Sequence, residues 1–135
     1  MTILSLRFKD GEIRLALRRN ATAKSILNAV PFSATVQTWG QSVMFDCPLT
    51  VRPQENTSTR EVLAGDIAFW ADGSSIIIGF GKTPLSRSNE IRLAHPCTIW
   101  ADALDDVSQL ATLSAGTEIR IEVAEPLNLR PASGQ

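Results

Sequence analysis

A small, mainly β fold, a barrel or a sandwich, is what this sequence predicts, and three observations carry it. Apolar and polar residues alternate in one short stretch after another. Turn dipeptides such as Asp10-Gly11 and Asp72-Gly73 separate these stretches at close intervals. Only one segment has clear helical spacing, and no strand–helix alternation repeats, which argues against a doubly wound parallel sheet.

The first element is a hairpin. Leu4, Leu6 and Phe8 alternate with Ser5 and Arg7, and Ile13, Leu15 and Leu17 alternate with Glu12, Arg14 and Ala16. Asp10-Gly11 between them is expected to supply the positive φ of a tight primed turn. The period then changes. In "NATAKSILNAVP", Asn20 or Thr22 caps a short helix whose Ile26, Leu27 and Val30 share a face, and Pro31 stops it. Strands resume in "ATVQTWGQSVMFDCPL", broken at Gly40, with Val43, Phe45 and Cys47 on one side. "STREVLAG" leads into "DIAFW", and Asp72-Gly73 turns the chain into "SSIIIGFG". Further strands are expected at "CTIWADAL" and "TEIRIEVA", the latter with Ile119, Ile121 and Val123 inward. "DDVSQLATLSAG" between them has room for one or two helical turns, begun by Asp105-Asp106. The count is about seven or eight short strands. Residues 1–125 form one domain, and 126–135 are expected to fray.

A chain of 135 residues suits one domain with a real core. Its formal net charge of −1 and its single basic pair, Arg18-Arg19, offer no face for nucleic acid. The N-terminal stretch is interrupted by Arg7, Lys9 and Asp10, unlike a secretory signal, and no apolar run suits a bilayer. A cytoplasmic protein without a membrane partner is expected. Cys47 and Cys97 stand far apart and His95 is the only histidine, so no metal site is expected and the thiols read as small buried groups.

The stretch "SSIIIGFGKTPLS" ends like a phosphate-binding loop. Such a loop needs a glycine, four residues, then Gly-Lys-Ser/Thr, so that its N–H groups wrap the anion. Counting back from Gly81, the required glycine is Ile76. Pro84 also biases Thr83 toward extended geometry rather than a helix start. The loop reading fails on spacing, and no nucleotide or other cofactor is expected. Gly79 and Gly81 then mark a bend or a close approach of backbone, as at a barrel corner. The run Ile76-Ile77-Ile78 implies cover on both faces, one from the interior and the other from the helix of residues 22–30.

Among the aromatics, Trp39, Phe45, Phe69, Trp70 and Phe80 are candidates for a groove that takes an extended peptide or a small apolar ligand. Adjacent Phe69 and Trp70 must point to opposite faces of their strand. Trp100 reads as structural. Asp46, Asp66, Asp72, Asp105 and Asp106 show no spacing that demands a catalytic pair.

The ordered set "ATAKSILNAVP", "TWGQSVMFDCPL", "AGDIAFWADGSSIIIGFGKTPLS", "EIRLAHPCTIWADAL" and "GTEIRIEV" resembles the small bacterial and archaeal cyclophilin-like proteins of the DUF369 type. The sharpest part is Gly65-Asp66-Ile67-Ala68-Phe69-Trp70 followed by Phe80-Gly81-x-Thr83-Pro84, and the likeness spans residues 3–123. It implies a closed, roughly eight-stranded barrel with one or two short capping helices.

The fold does not supply the function. True cyclophilins isomerise X-Pro bonds, against an amide rotation barrier of about 18–20 kcal/mol. They do so with an apolar proline pocket and a fixed arginine. This chain lacks their Phe-His-Arg and Gln-Gly-Gly-Asp sequences, and His95 is followed by Pro96. A non-catalytic or weakly catalytic ligand-binding module, its groove lined by some of these five aromatics, is therefore the leading expectation. The alternatives are a prolyl isomerase with a relocated arginine, Arg92 or Arg52, and a component of an amide-hydrolysing complex.

Overall fold

In the computed structural model, residues 2–49 and 58–124 are described. The tail expected to fray lies outside them, as does Arg52. The elements run β1 (Ile3–Phe8), β2 (Gly11–Leu17), α1 (Ala21–Ala29), β3 (Phe32–Thr35), β4 (Gln37–Thr38) and β5 (Ser42–Asp46). They continue with β6 (Thr59–Val62), β7 (Asp66–Trp70), β8 (Ser75–Gly79), β9 (Ile91–Ala103), a 3₁₀ helix (Val107–Thr112) and β10 (Glu118–Val123).

Neighbouring strands pair antiparallel in the order β3-β10-β1-β2-β9-β7-β8-β5-β4, and β6 pairs with β9 off this path. The two ends of that order are one run of chain, since only Val36 separates β3 from β4. The first half of this run bonds β10 and the second half bonds β5. The sheet therefore rolls into a nearly closed barrel, mainly β as expected, with one unsealed seam between β3 and β5.

Interior residues follow the period of two. Leu4, Leu6, Ile13, Leu15, Val43, Phe45, Ile67, Phe69, Ile76, Ile78, Ile119 and Ile121 are all at most 2% exposed and form one core. Val123 departs from its expected inward position and is 54% exposed. It ends β10 opposite Leu4. One local break puts two successive residues inside. Ile67 pairs with Ala101 but Ala68 pairs with Ile99, so Trp100 is the extra residue of a bulge. Trp100 and Ala101 are both fully buried as a result.

The helix has the predicted place in the chain but a different role. Asn20 caps α1, its side chain accepting from the Ala23 N–H at 2.8 Å, and its amide donates to the Ile99 carbonyl at 3.0 Å. Ala23 and Ile26 of α1 join the interior core, so the helix closes the barrel. It does not cover the outer face of the triple isoleucine. Ile77, on that face, belongs to a second cluster with Val62, Ala68, Ile91, Leu93 and Cys97. The cover is a ribbon of β6 and the first half of β9, folded back over β7 and β8.

The ribbon explains two features of the sequence. β9 is longer than predicted because it starts at Ile91 and runs through Pro96 into the barrel. The β6–β9 register slips between Thr59 and Glu61, which pair with Cys97 and Arg92, and Pro96 sits in the slip. Proline has no N–H for a ladder, so an irregular stretch accommodates it. Gly79 lies beneath the ribbon, where a Cβ would come within 2.6 Å of Ile91 Cγ2.

Asp72-Gly73 turns the chain from β7 into β8 as expected, whereas the first hairpin turn differs from expectation. Lys9 and Asp10 form the first turn, and Gly11 opens β2 opposite Phe8. Neither Asp10 nor Gly11 is among the positive-φ residues. Glycine is needed at 11 for space, because a Cβ would lie 2.5 Å from the Phe8 ring. Gly73 does the same for Trp70, whose ring would be 2.2 Å from a Cβ. Asp106 caps the 3₁₀ helix through the Ser108 N–H, as the acidic pair suggested. Asp105 instead forms a two-pronged ion pair with Arg14, both contacts at 3.0 Å. No helix among the described residues is long and apolar enough to cross a membrane.

Candidate functional site

The outer face of the barrel carries a small groove of about 290 Å³ between the β4–β5 hairpin and the β9 ribbon. Its floor is Met44, Ile77 and Leu93, and its two aromatic walls are Trp39 and His95. Trp39, 36% exposed, stands at the tip of the hairpin. His95 stacks on Trp70 with ring centroids 3.8 Å apart and planes 2° from parallel. Trp70 thus holds the His95 ring in place from behind.

The wall that bears Trp39 is fixed by Gln41. The Gln41 carbonyl accepts from the N–H groups of Phe80 at 2.9 Å and Gly81 at 3.2 Å. Its own N–H donates to the Lys82 carbonyl at 2.8 Å, and its side-chain Oε1 accepts from the Lys82 N–H at 2.9 Å. These bonds also settle the phosphate-loop question. The three N–H groups that would face an anion in such a loop are all spent on Gln41, and no helix follows Lys82. Ser42 adds a hydrogen bond from its hydroxyl to the Trp39 carbonyl at 2.6 Å. Gly40 permits the turn, with φ of +57° and no room for a Cβ beside the Thr83 backbone.

The opposite wall is fixed by Thr83 and Ser86. Buried Thr83 donates its hydroxyl to the Arg92 carbonyl. Ser86 Oγ accepts from both the Thr83 N–H at 2.9 Å and the Arg92 N–H at 3.1 Å. The stretch Phe80-Gly81-Lys82-Thr83-Pro84 is therefore a brace. It binds the hairpin through Lys82 and the ribbon through Thr83, and so sets the width of the groove.

The predicted site residues fall into three places. Trp39 lines the groove and Trp70 backs it. Phe45 and Phe69, each 2% exposed, belong to the barrel interior, and half-buried Phe80 packs against that same core. Phe69 and Trp70 do point to opposite faces. Arg92 is not among the groove's lining residues. Its Nε donates to Glu90 at 2.6 Å and a terminal nitrogen lies 3.8 Å from Glu61. The hydrogen bond to Glu90 raises the Arg92 pKa and lowers that of Glu90, so both stay charged. His95, Gln41, Thr83 and Ser86 are the site residues that sequence reasoning missed. In the sequence the lone histidine reads against a metal site and against the cyclophilin Phe-His-Arg motif rather than as a groove wall, although the strand period through Leu93 and His95 is an available signal.

Neither thiol is a nucleophile in waiting. Burial pushes Cys47 and Cys97 up to about 12. No group of three or more residues able to ligate a metal exists among the described residues.

The fold and the groove together define a class by architecture: a nearly closed antiparallel barrel, capped by one helix and bearing a shallow aromatic groove on its outside. The sequence model of the Cyclophilin-like family matches residues 2–122, and the chain belongs to that family. It is similar to the solution structure of the hypothetical protein AF2241 from Archaeoglobus fulgidus, with a TM-score of 0.75 and 28% sequence identity. That likeness covers 91% of this chain and 95% of the archaeal one. No curated protein matches the sequence.

Proposed function

We propose that this cyclophilin-like chain is a binding module that takes one apolar side chain of an extended peptide, or a small apolar ligand, between Trp39 and His95. The observation that carries the reading is the half-exposed Trp39 facing a histidine whose ring is already stacked and held by Trp70. Two flat, fixed walls over an aliphatic floor suit a ring or a branched side chain, and preorganised walls lose little entropy on binding. The groove volume of about 290 Å³ supports a single side chain or fragment rather than a larger cofactor. Isomerisation would also need a fixed donor beside the groove, and the guanidinium of Arg92 is committed to Glu90. Binding without turnover is accordingly the preferred reading.

An NMR screen of small aromatic fragments and of short peptides with one central apolar residue tests it. Binders are expected to move the Trp39 indole N–H and the amides of Ile77 and His95. Trp39→Ala is expected to weaken them about ten-fold, the usual scale for losing a tryptophan anchor. Perturbations that cluster away from the groove would refute the reading. A coupled isomerisation assay decides against it in another way, if X-Pro turnover appears and vanishes in Arg92→Ala or Arg52→Ala.

A further inference from the structure

The unsealed seam supports a second inference, independent of the groove. Val36 directs both its main-chain groups at the two residues that lead into β10, donating to the Thr117 carbonyl at 2.9 Å and accepting from the Gly116 N–H at 2.8 Å. In an extended strand, alternate residues point their N–H and C=O to opposite sides. Those of Ser33 and Thr35 therefore point toward β5. Across the seam, the Cys47 N–H bonds the Ser74 carbonyl on the far side of β5, at 2.9 Å, so the main-chain groups of Asp46 point back toward β3.

The register Gln37↔Met44 would, if continued, set Thr35 opposite Asp46. No such pair forms, and among the described residues no strand pairs with either edge there. Between them lies a cleft of about 710 Å³, lined by Ser33, Thr35, Asp46, Ser74 and Glu118 among others. Main-chain donors and acceptors at strand spacing on a sheet edge are a template for another extended chain.

The charges on this cleft select among such chains. Asp46 and Glu118 are its only carboxylates, and no lysine or arginine lines it. Neither carboxylate forms an ion pair among the described residues, and Asp46 has only the Ser75 hydroxyl at 3.4 Å. Arg120 reaches the Ser33 hydroxyl at 3.3 Å, but its Nε is held by Glu122 at 3.1 Å. A second copy of this chain docked edge to edge would bring like charges together. We propose that the seam between β3 and β5 binds an extended peptide segment as an added strand, with lysine or arginine side chains meeting Asp46 and Glu118.

The probe is a blocked peptide of about six residues, a usual strand length, that alternates valine and lysine. Two relatives accompany it, one with glutamate for lysine and one N-methylated at alternate positions to block main-chain pairing. The lysine peptide is expected to shift the amides of Ser33, Thr35 and Asp46, with or without Trp39→Ala. Both relatives, and the lysine peptide on the Asp46→Asn, Glu118→Gln double variant, are expected to bind about ten-fold more weakly. Rising salt is expected to weaken the lysine peptide on the native chain more than on the double variant. Equal affinity for the lysine and glutamate peptides overturns the proposal, as does undiminished binding of the N-methylated one. So does a response confined to Trp39 and His95, which would assign the peptide to the groove alone. Seam shifts that grow with protein concentration in the absence of peptide also overturn it, because the slot would then pair copies of the chain.

Discussion

Gln41 does more for the outer groove than any residue that lines it. Its main-chain and side-chain groups tie the Trp39 hairpin to the backbone of residues 80–82 by four hydrogen bonds. Only one of these, from Oε1 to the Lys82 N–H, depends on the side chain. Gln41→Ala is therefore expected to keep the fold, losing about 1 kcal/mol of stability for that bond. The Trp39 hairpin would loosen, and affinity for groove ligands would fall while Trp39 itself is unchanged. Calorimetry on the folded variant checks both parts, and unaltered affinity would show that the brace does not set the groove. Glycines 11 and 73 carry a related lesson at this scale. Each leaves room for an aromatic ring three residues earlier in the chain, Phe8 or Trp70, so its role is spatial rather than conformational.

At the scale of elements, β8 has two different partners. Ile76 and Ile78 face the barrel core, whereas Ile77 faces the ribbon of β6 and β9. The two substitutions Ile76→Ala and Ile77→Ala should therefore separate. Ile76→Ala opens a cavity in the main core and is expected to cost about 2–5 kcal/mol of global stability. Ile77→Ala removes the floor beneath Leu93 and Ile91, and is expected chiefly to speed amide exchange in residues 91–95 while the β1–β2–β10 amides stay protected. Uniformly faster exchange over the whole barrel would show that the ribbon is not a separate unit. Helix α1 is simpler. Asn20 uses both ends of its amide, one to cap the helix and one to hold β9, so the helix and the strand it packs on share a single residue.

The whole molecule has a predictable response to pH. Cys47 and Cys97 have folded-state values raised from 9.0 to about 12 by burial. Below pH 9 the thiols are protonated in both states and have no effect on the balance. Above it the unfolded chain loses those protons first, so stability falls as pH rises from about 9 toward 12. On the acid side, hydrogen bonds from Arg14 and Arg18 lower the pKa values of Asp105 and Asp102. Their contribution is present above the ordinary value of 3.8 and is lost as pH falls through the lowered ones. Urea titrations across pH are expected to show both limbs. The Cys47→Ala, Cys97→Ala double variant should flatten the alkaline limb and leave the acid one, and an unchanged alkaline slope would contradict the assignment.

The sequence by itself determined whatever depends on neighbours in the chain. Period-two alternation placed Leu4, Leu6, Ile13, Leu15, Ile119 and Ile121 in the core, because successive strand side chains must take opposite faces. Asn20 and Pro31 bracketed the helix for equally local reasons, and the missing glycine at position 76 ruled out the phosphate loop. Tertiary structure alone decided what covers each face. Nothing near Ile77 in sequence says that residues 91–97 fold over it, or that Gln41 meets Lys82 and Thr83 meets Arg92. The groove and the seam are both made by such distant contacts. Hydrophobic burial rewards any apolar partner of suitable shape, so alternation identifies a buried face without naming what buries it.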